Sequence, residues 1–123
     1  MSQKPRAEMI EQTRAKLIAS ARQAFASQGY GNTSMDDFTA QVGLTRGALY
    51  HHFGDKKGLL AAVVAQLDSE ADSRLDAISA GASDPWTGFQ QRCTAYLQMA
   101  QEPEIQQILL LDAPAAAVEL VHA

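Results

Sequence analysis

A single cysteine, Cys93, leaves no partner for an internal disulfide and rules out a multi-cysteine zinc site. Long apolar runs are missing too. The longest candidate, Ile108–Leu111, is one helical turn, far below the roughly 18–20 residues a membrane span needs. No apolar stretch follows the polar start Met1-Ser-Gln-Lys-Pro-Arg6, so a signal peptide is not expected and the cytoplasm is the expected compartment. Strand-like alternation and internal repeats are absent, and no set of side chains forms a catalytic constellation, so an enzyme is not expected. What remains is globular: 123 residues, 46% hydrophobic and 20% charged, enough for one ordinary domain or a small domain plus part of another.

The net charge of −4 argues superficially against nucleic acid, but its distribution does not. Residues 1–58 hold eight basic against five acidic side chains, a balance of +3; residues 59–123 hold two against nine, a balance of −7. A basic working surface on an acidic body is the expectation.

The periodic segments have the helical period. Ile10, Leu17, Ala21, Ala24 and Phe25 predict one buried face on a helix from about Pro5 to Gln28, stopped by Gly29 and Gly31. Ser34 is a good N-cap for a short second helix carrying Met35, Phe38 and Val42, with Asp36 and Asp37 at the positive end of its dipole. Gly43 ends that helix. Thr45 caps a third, with Leu49 and Phe53 as its buried pair; Gly54 ends it and Asp55 caps a fourth. Leu60, Val64, Leu67, Ala71, Leu75 and Ile78 extend the fourth to about Ala80-Gly81. A fifth opens at Asp84-Pro85, with Trp86, Phe89, Cys93, Tyr96 or Leu97, and Ala100 on its apolar side. Pro103 starts a short sixth piece through Leu111, and Pro114 is expected to interrupt the chain again.

Ser34–Phe53 is the informative segment. Two short helices meet at Gly43-Leu44, a spacing that fits a helix-turn-helix and an ordinary helical hairpin equally. The composition of the second helix favours the first. With about 100° per residue and Leu49 at 0°, Phe53 lies near 40°, so the core is there; Gly47 lies near 160°, His51 near 200° and Ala48 near 260°. The outward face therefore carries two small residues, which permit close approach, beside polar aromatics. Arg46, in the first turn, can pair bidentately with guanine, and Ala48 can pack on a thymine methyl. Tyr50, His52 and Lys56 suit phosphates, as do the free N–H groups at the start of the fourth helix.

The run Thr33-Ser-Met-Asp-Asp-Phe-Thr-Ala-Gln-Val-Gly-Leu-Thr-Arg-Gly-Ala-Leu-Tyr-His-His-Phe-Gly-Asp-Lys-Lys-Gly-Leu-Leu60 closely resembles the DNA-binding signature of the TetR family of bacterial transcriptional regulators, and Ala21–Gly31 resembles the end of that family's first helix. The resemblance extends over Gln12–Val64 and, more weakly, to Glu102–Gln106 and Leu110–Pro114. It implies an all-α fold: a three-helix DNA-binding head with a helix-turn-helix over residues 8–58, then an incomplete helical ligand-binding and dimerisation body over 59–123. It implies a repressor that binds a palindromic operator on double-stranded DNA as a homodimer and releases it when a small-molecule inducer enters the body, with no cofactor and no membrane partner. Carried over by position, Thr45, Arg46, Gly47, Ala48 and His51 face bases, while Thr33, Ser34, Tyr50, His52 and Lys56 contact phosphates. Full members of the family continue for several more helices, the last two building the dimer interface. This chain stops soon after its sixth helix, so it is expected to be C-terminally short, and the alternative role is a truncated, non-dimerising or partner-dependent interaction module.

Other features have plainer readings. His51 and His52 point about 100° apart and cannot chelate one ion as an i, i+4 pair does. Cys93 is expected to be a buried structural thiol. Asp68, Glu70, Asp72 and Asp76 are expected on a solvated face. The stripe of Trp86, Phe89, Cys93, Tyr96, Leu97 and Met99 fits a ligand pocket, simple core packing, or an exposed surface.

Overall fold

The computed structural model describes residues 5–122, with side chains through 118. The described residues are helical without a strand. They form α1 (Arg6–Gln28), α2 (Met35–Val42), α3 (Arg46–Phe53), α4 (Lys56–Ala80), α5 (Pro85–Met99), a π-helical segment (Ile105–Asp112) and α6 (Ala113–His122). They divide into two compact units, one ending at Val63 and one beginning at Val64.

Local chemistry sets the boundaries. The side chains of Ser34, Thr45 and Asp84 each accept a backbone N–H three residues on, closing the first turns of α2, α3 and α5. Asp55 Oδ1 does the same for the Gly58 N–H, at 2.7 Å, for α4. Pro85 opens α5, where its missing N–H costs nothing.

The first unit buries Leu17, Ala21 and Phe25 of α1, Met35 and Phe38 of α2, Leu49 of α3, and Leu59, Leu60 and Val63 of α4. Complete burial of a side chain such as Leu17 or Phe25 contributes roughly 1.5–3 kcal/mol. Ile10, expected on the buried face of α1, is 47% exposed. The reason is length. At 1.5 Å per residue α1 is about 35 Å long, whereas α2 and α3 are each about 12 Å, so their cover does not reach its first turns. Phe53, expected to be buried with Leu49, is only half-buried. The guanidinium of Arg14 covers its ring at 4.6 Å from the centroid and donates to the His52 carbonyl at 3.0 Å, closing the C-terminal end of α3.

In the second unit, Leu75, Met99 and Ile105 form the buried cluster, with Ala71, Ala95 and Leu109 packed on it. Of the three readings open for the stripe on α5, exposure holds for most of it, while Met99 packs inward. Trp86, Phe89, Tyr96 and Leu97 are 58–68% exposed, and Cys93 is exposed rather than a buried thiol. The packed side runs Gly88, Arg92, Ala95, Met99. A Cβ on Gly88 would stand 3.2 Å from the Ser79 carbonyl oxygen, so α5 and α4 approach backbone to backbone there. Arg92 seals the contact with hydrogen bonds to Asp76 at 2.9 Å and Ser79 at 3.4 Å. The close approach at Gly88 selects a small residue there, and Trp86 and Phe89 are left on the other side. The acidic side chains of α4, Asp68, Glu70, Asp72 and Asp76, are exposed.

The expected break at Pro114 does not occur. The π-helical segment runs straight into α6, and Pro114 sits in the first turn of α6. In an α-helix its ring would meet the carbonyl four residues back. The Ala113 N–H bonds instead to the Ile108 carbonyl, five residues back, and this wider turn shifts the register ahead of the proline.

Candidate nucleic-acid interface

The turn between α2 and α3 rests on Gly43, at φ 74° in the left-handed region that costs other residues roughly 1–2 kcal/mol. Its N–H bonds back to the Thr39 and Ala40 carbonyls, and the Leu44 N–H to Thr39 at 3.0 Å, so the end of α2 is satisfied and the chain reverses within two residues. Thr45 then caps α3 by accepting the Ala48 N–H at 3.1 Å.

Within α3 Leu49 alone is buried. Everything else on this helix lies at or near solvent. Thr45, Arg46, Gly47 and His51 are exposed; Ala48, Tyr50 and His52 are half-buried. The helical-wheel expectation for the outward face therefore matches the exposure pattern. Gly47 is not required by packing, since the nearest atom to a Cβ there would be Thr45 Oγ1 at 3.9 Å. The rings of His51 and His52 lie 5.9 Å apart, inclined at 74°, the divergence of adjacent helical positions.

Arg46 is held from two sides. It donates to the Tyr50 hydroxyl at 3.2 Å, one turn along α3, and lies 3.4 Å from the Asp36 carboxylate on α2. Its guanidinium stands 5.5 Å from the centre of the Tyr50 ring. The hydrogen bond and electrostatics of Tyr50 first, then the Asp36 charge, raise its pKa above the ordinary arginine range.

Flanking groups complete the surface. Ser34 is exposed at the N-terminus of α2 and accepts the Asp37 N–H at 3.3 Å. Lys56 opens α4, its Nζ 4.4 Å above the ring of Tyr30, which itself packs edge-on against Phe25. Thr33 differs from expectation. It is 4% exposed and its hydroxyl donates to the Gly29 carbonyl at 2.8 Å, so it fastens the α1–α2 turn and does not present a hydroxyl to a phosphate. Asp36, Tyr30 and Arg14 are the residues that sequence reasoning missed here. Their roles depend on pairs distant in sequence, and only the spacing of Arg46 and Tyr50, i and i+4, carried any signal.

The second unit contains a cavity of about 290 Å³ lined by Val64, Asp68, Asp72, Leu75, Tyr96 and Ile105 among others. Of the four expected ligand contacts, Tyr96 lines it; Trp86, Phe89 and Cys93 do not. Trp86 and Phe89 instead stack on each other in the exposed stripe, 5.8 Å between centroids.

Two family models match the chain: "Bacterial regulatory proteins, tetR family" over residues 17–63 and "Tetracyclin repressor-like, C-terminal domain" over 86–118. The HTH-type transcriptional regulator TtgR of Pseudomonas putida is 37% identical over 65 residues, covering 53% of this chain and 31% of that protein. The probable acrEF/envCD operon repressor of Escherichia coli K12 is 31% identical over 111 residues, covering 89% of this chain and 50% of that one. Among solved structures, a TetR-family transcriptional regulator from Pectobacterium atrosepticum is 66% identical with a TM-score of 0.82, over 91% of this chain and 57% of that one. The chain thus spans between about a third and somewhat over half of the length of these relatives.

Proposed function

The chain belongs to the tetR family of bacterial regulatory proteins, and from that premise we propose that it is a sequence-specific DNA-binding transcriptional regulator, a repressor released from DNA by a small molecule. The observation that carries this reading is α3, a helix fixed by one buried leucine and otherwise turned outward behind a tight glycine turn. Such a helix fits the major groove.

In the proposed complex Arg46 pairs with a guanine edge and Ala48 packs on a thymine methyl, while Gly47 lets the backbone come close. Thr45 and His51 face the neighbouring bases. Ser34, Tyr50, His52 and Lys56 hold phosphates on either side, aided by the positive dipole end of α4. Residues 8–58 form the DNA-binding domain and residues 59–123 the regulatory part, whose cavity receives the inducer beside Tyr96. Two copies acting together bind a palindromic operator. The work is binding, not turnover, and it takes place in the cytoplasm; no helix among the described residues is long and apolar enough to cross a membrane.

Selection of bound fragments from a pool of random duplex DNA, at near-physiological salt, tests the reading. An enriched palindrome is the expected outcome, and an enriched lone half-site would assign the same chemistry to a single head. Recovery of no sequence preference would overturn it.

A further inference from the structure

We propose that Asp36 is a specificity-determining residue that acts through Arg46, holding the guanidinium in the orientation in which it reads one base. The inference rests on the reading that Arg46 meets a base.

An arginine at the start of an exposed helix has two uses on DNA. It can pair with guanine in the plane of the base, or it can swing to a phosphate and carry no sequence information. Its long side chain carries rotamer freedom that a planar contact must overcome. In this structure that freedom is already restricted. Asp36 Oδ1 faces Nη1 at 3.4 Å and the Tyr50 hydroxyl takes a hydrogen bond from Nη2 at 3.2 Å. The guanidinium has five N–H donors, so a pair of donors remains for a base edge after these contacts.

The position of the acid supports the assignment. Asp36 comes from α2, the helix that precedes the turn, and its side chain is 72% exposed. An exposed carboxylate beside the proposed DNA surface repels phosphates and so opposes general affinity. The same repulsion disfavours the alternative in which Arg46 lies against a phosphate. Asp37 shares the first turn of α2 and its dipole, and Ser34 supplies the cap hydrogen bond, so the contact with Arg46 is what sets Asp36 apart. Among the described residues Asp37 has no ion pair with Arg46, which makes it the matched control.

The test measures the affinity of the 123-residue chain for its selected duplex, for every single-base variant of that duplex, and for random duplex. Arg46→Ala first identifies the base position that Arg46 reads. Asp36→Asn is then expected to lower discrimination at that same position by about 2- to 5-fold, the range open to an exposed ion pair, with affinity for random duplex unchanged or higher. Asp36→Glu, which keeps the charge, is expected to recover part of the discrimination, and Asp37→Asn to leave it intact. Both substituted side chains are exposed, and thermal unfolding checks that every variant folds. The proposal is overturned if Asp36→Asn changes all duplexes by one factor or changes none, or if Asp37→Asn has the same effect. If Arg46→Ala alters no single position, or the chain selects no sequence, the reading of Arg46 fails and the role of Asp36 fails with it; a positive Arg46→Ala result with a silent Asp36→Asn sinks this inference alone.

Discussion

A Cβ added to Gly58 would stand far closer to the Phe53 carbonyl oxygen than van der Waals contact allows, and that oxygen is a backbone atom that cannot step aside. The start of α4 thus lies against the end of α3, and only glycine fits between them. A Cβ on Gly47 would make only an ordinary contact with Thr45 Oγ1. The two glycines therefore separate folding from binding. Gly58→Ala is expected to destabilise the chain by roughly 1–3 kcal/mol, as overpacking does. Gly47→Ala is expected to stabilise α3 by up to about 1 kcal/mol, because alanine is the better helix former, while weakening DNA binding through lost close approach. Thermal unfolding and duplex titration of the two variants measure both effects. A Gly47→Ala chain that bound DNA at full strength would remove that residue from the proposed contact surface.

Among the elements, the second unit holds two carboxylates in their ionised form. The Thr87 backbone N–H, and then its hydroxyl, keep the Asp84 carboxyl below its usual range at the start of α5. A two-pronged pair with Arg74, at 3.0 and 2.6 Å, does the same for Glu102. Both folded values are depressed, so both contributions are fully present above the usual carboxylate range, near pH 4, and are lost as pH falls through the lower folded values. The urea midpoint is therefore expected to drop as pH is taken below about 4, and Glu102→Gln is expected to make that drop shallower. An unchanged acid limb would remove Glu102 from the account. These contacts also mark what could be read in advance. Ser34, Gly43, Thr45, Gly54, Asp55 and Asp84 were legible because a cap or turn is decided within a few residues of itself. The buried side of α5 was not, because it is decided by Gly88 meeting Ser79 on another helix. Large apolar residues at helical spacing marked a stripe, but not whether it faces in or out. Within the candidate site, the outward set on α3 followed from one angle per residue. The withdrawal of Thr33 and the Asp36–Arg46 pair did not, since both arise from folding across a turn.

Taken whole, the chain is a net anion of −4 whose basic side chains are concentrated in residues 1–58. Binding to a polyanion must then come from a few cations placed together, and each one that displaces a counterion should count in the salt dependence. Lys56, at the entrance to α4 and over Tyr30, is the clearest of these. Lys56→Ala is expected to weaken selected and random duplex about equally and to lower the slope of log affinity against log salt by about one. A loss confined to the selected duplex would make Lys56 a base reader instead.

Trp86 is the sole tryptophan, 65% exposed and stacked on Phe89. Its indole emission therefore reports one place only. In water it should lie toward the red, and any molecule or chain segment that comes to cover this face will move it toward the blue, giving the protein an intrinsic optical probe that needs no label.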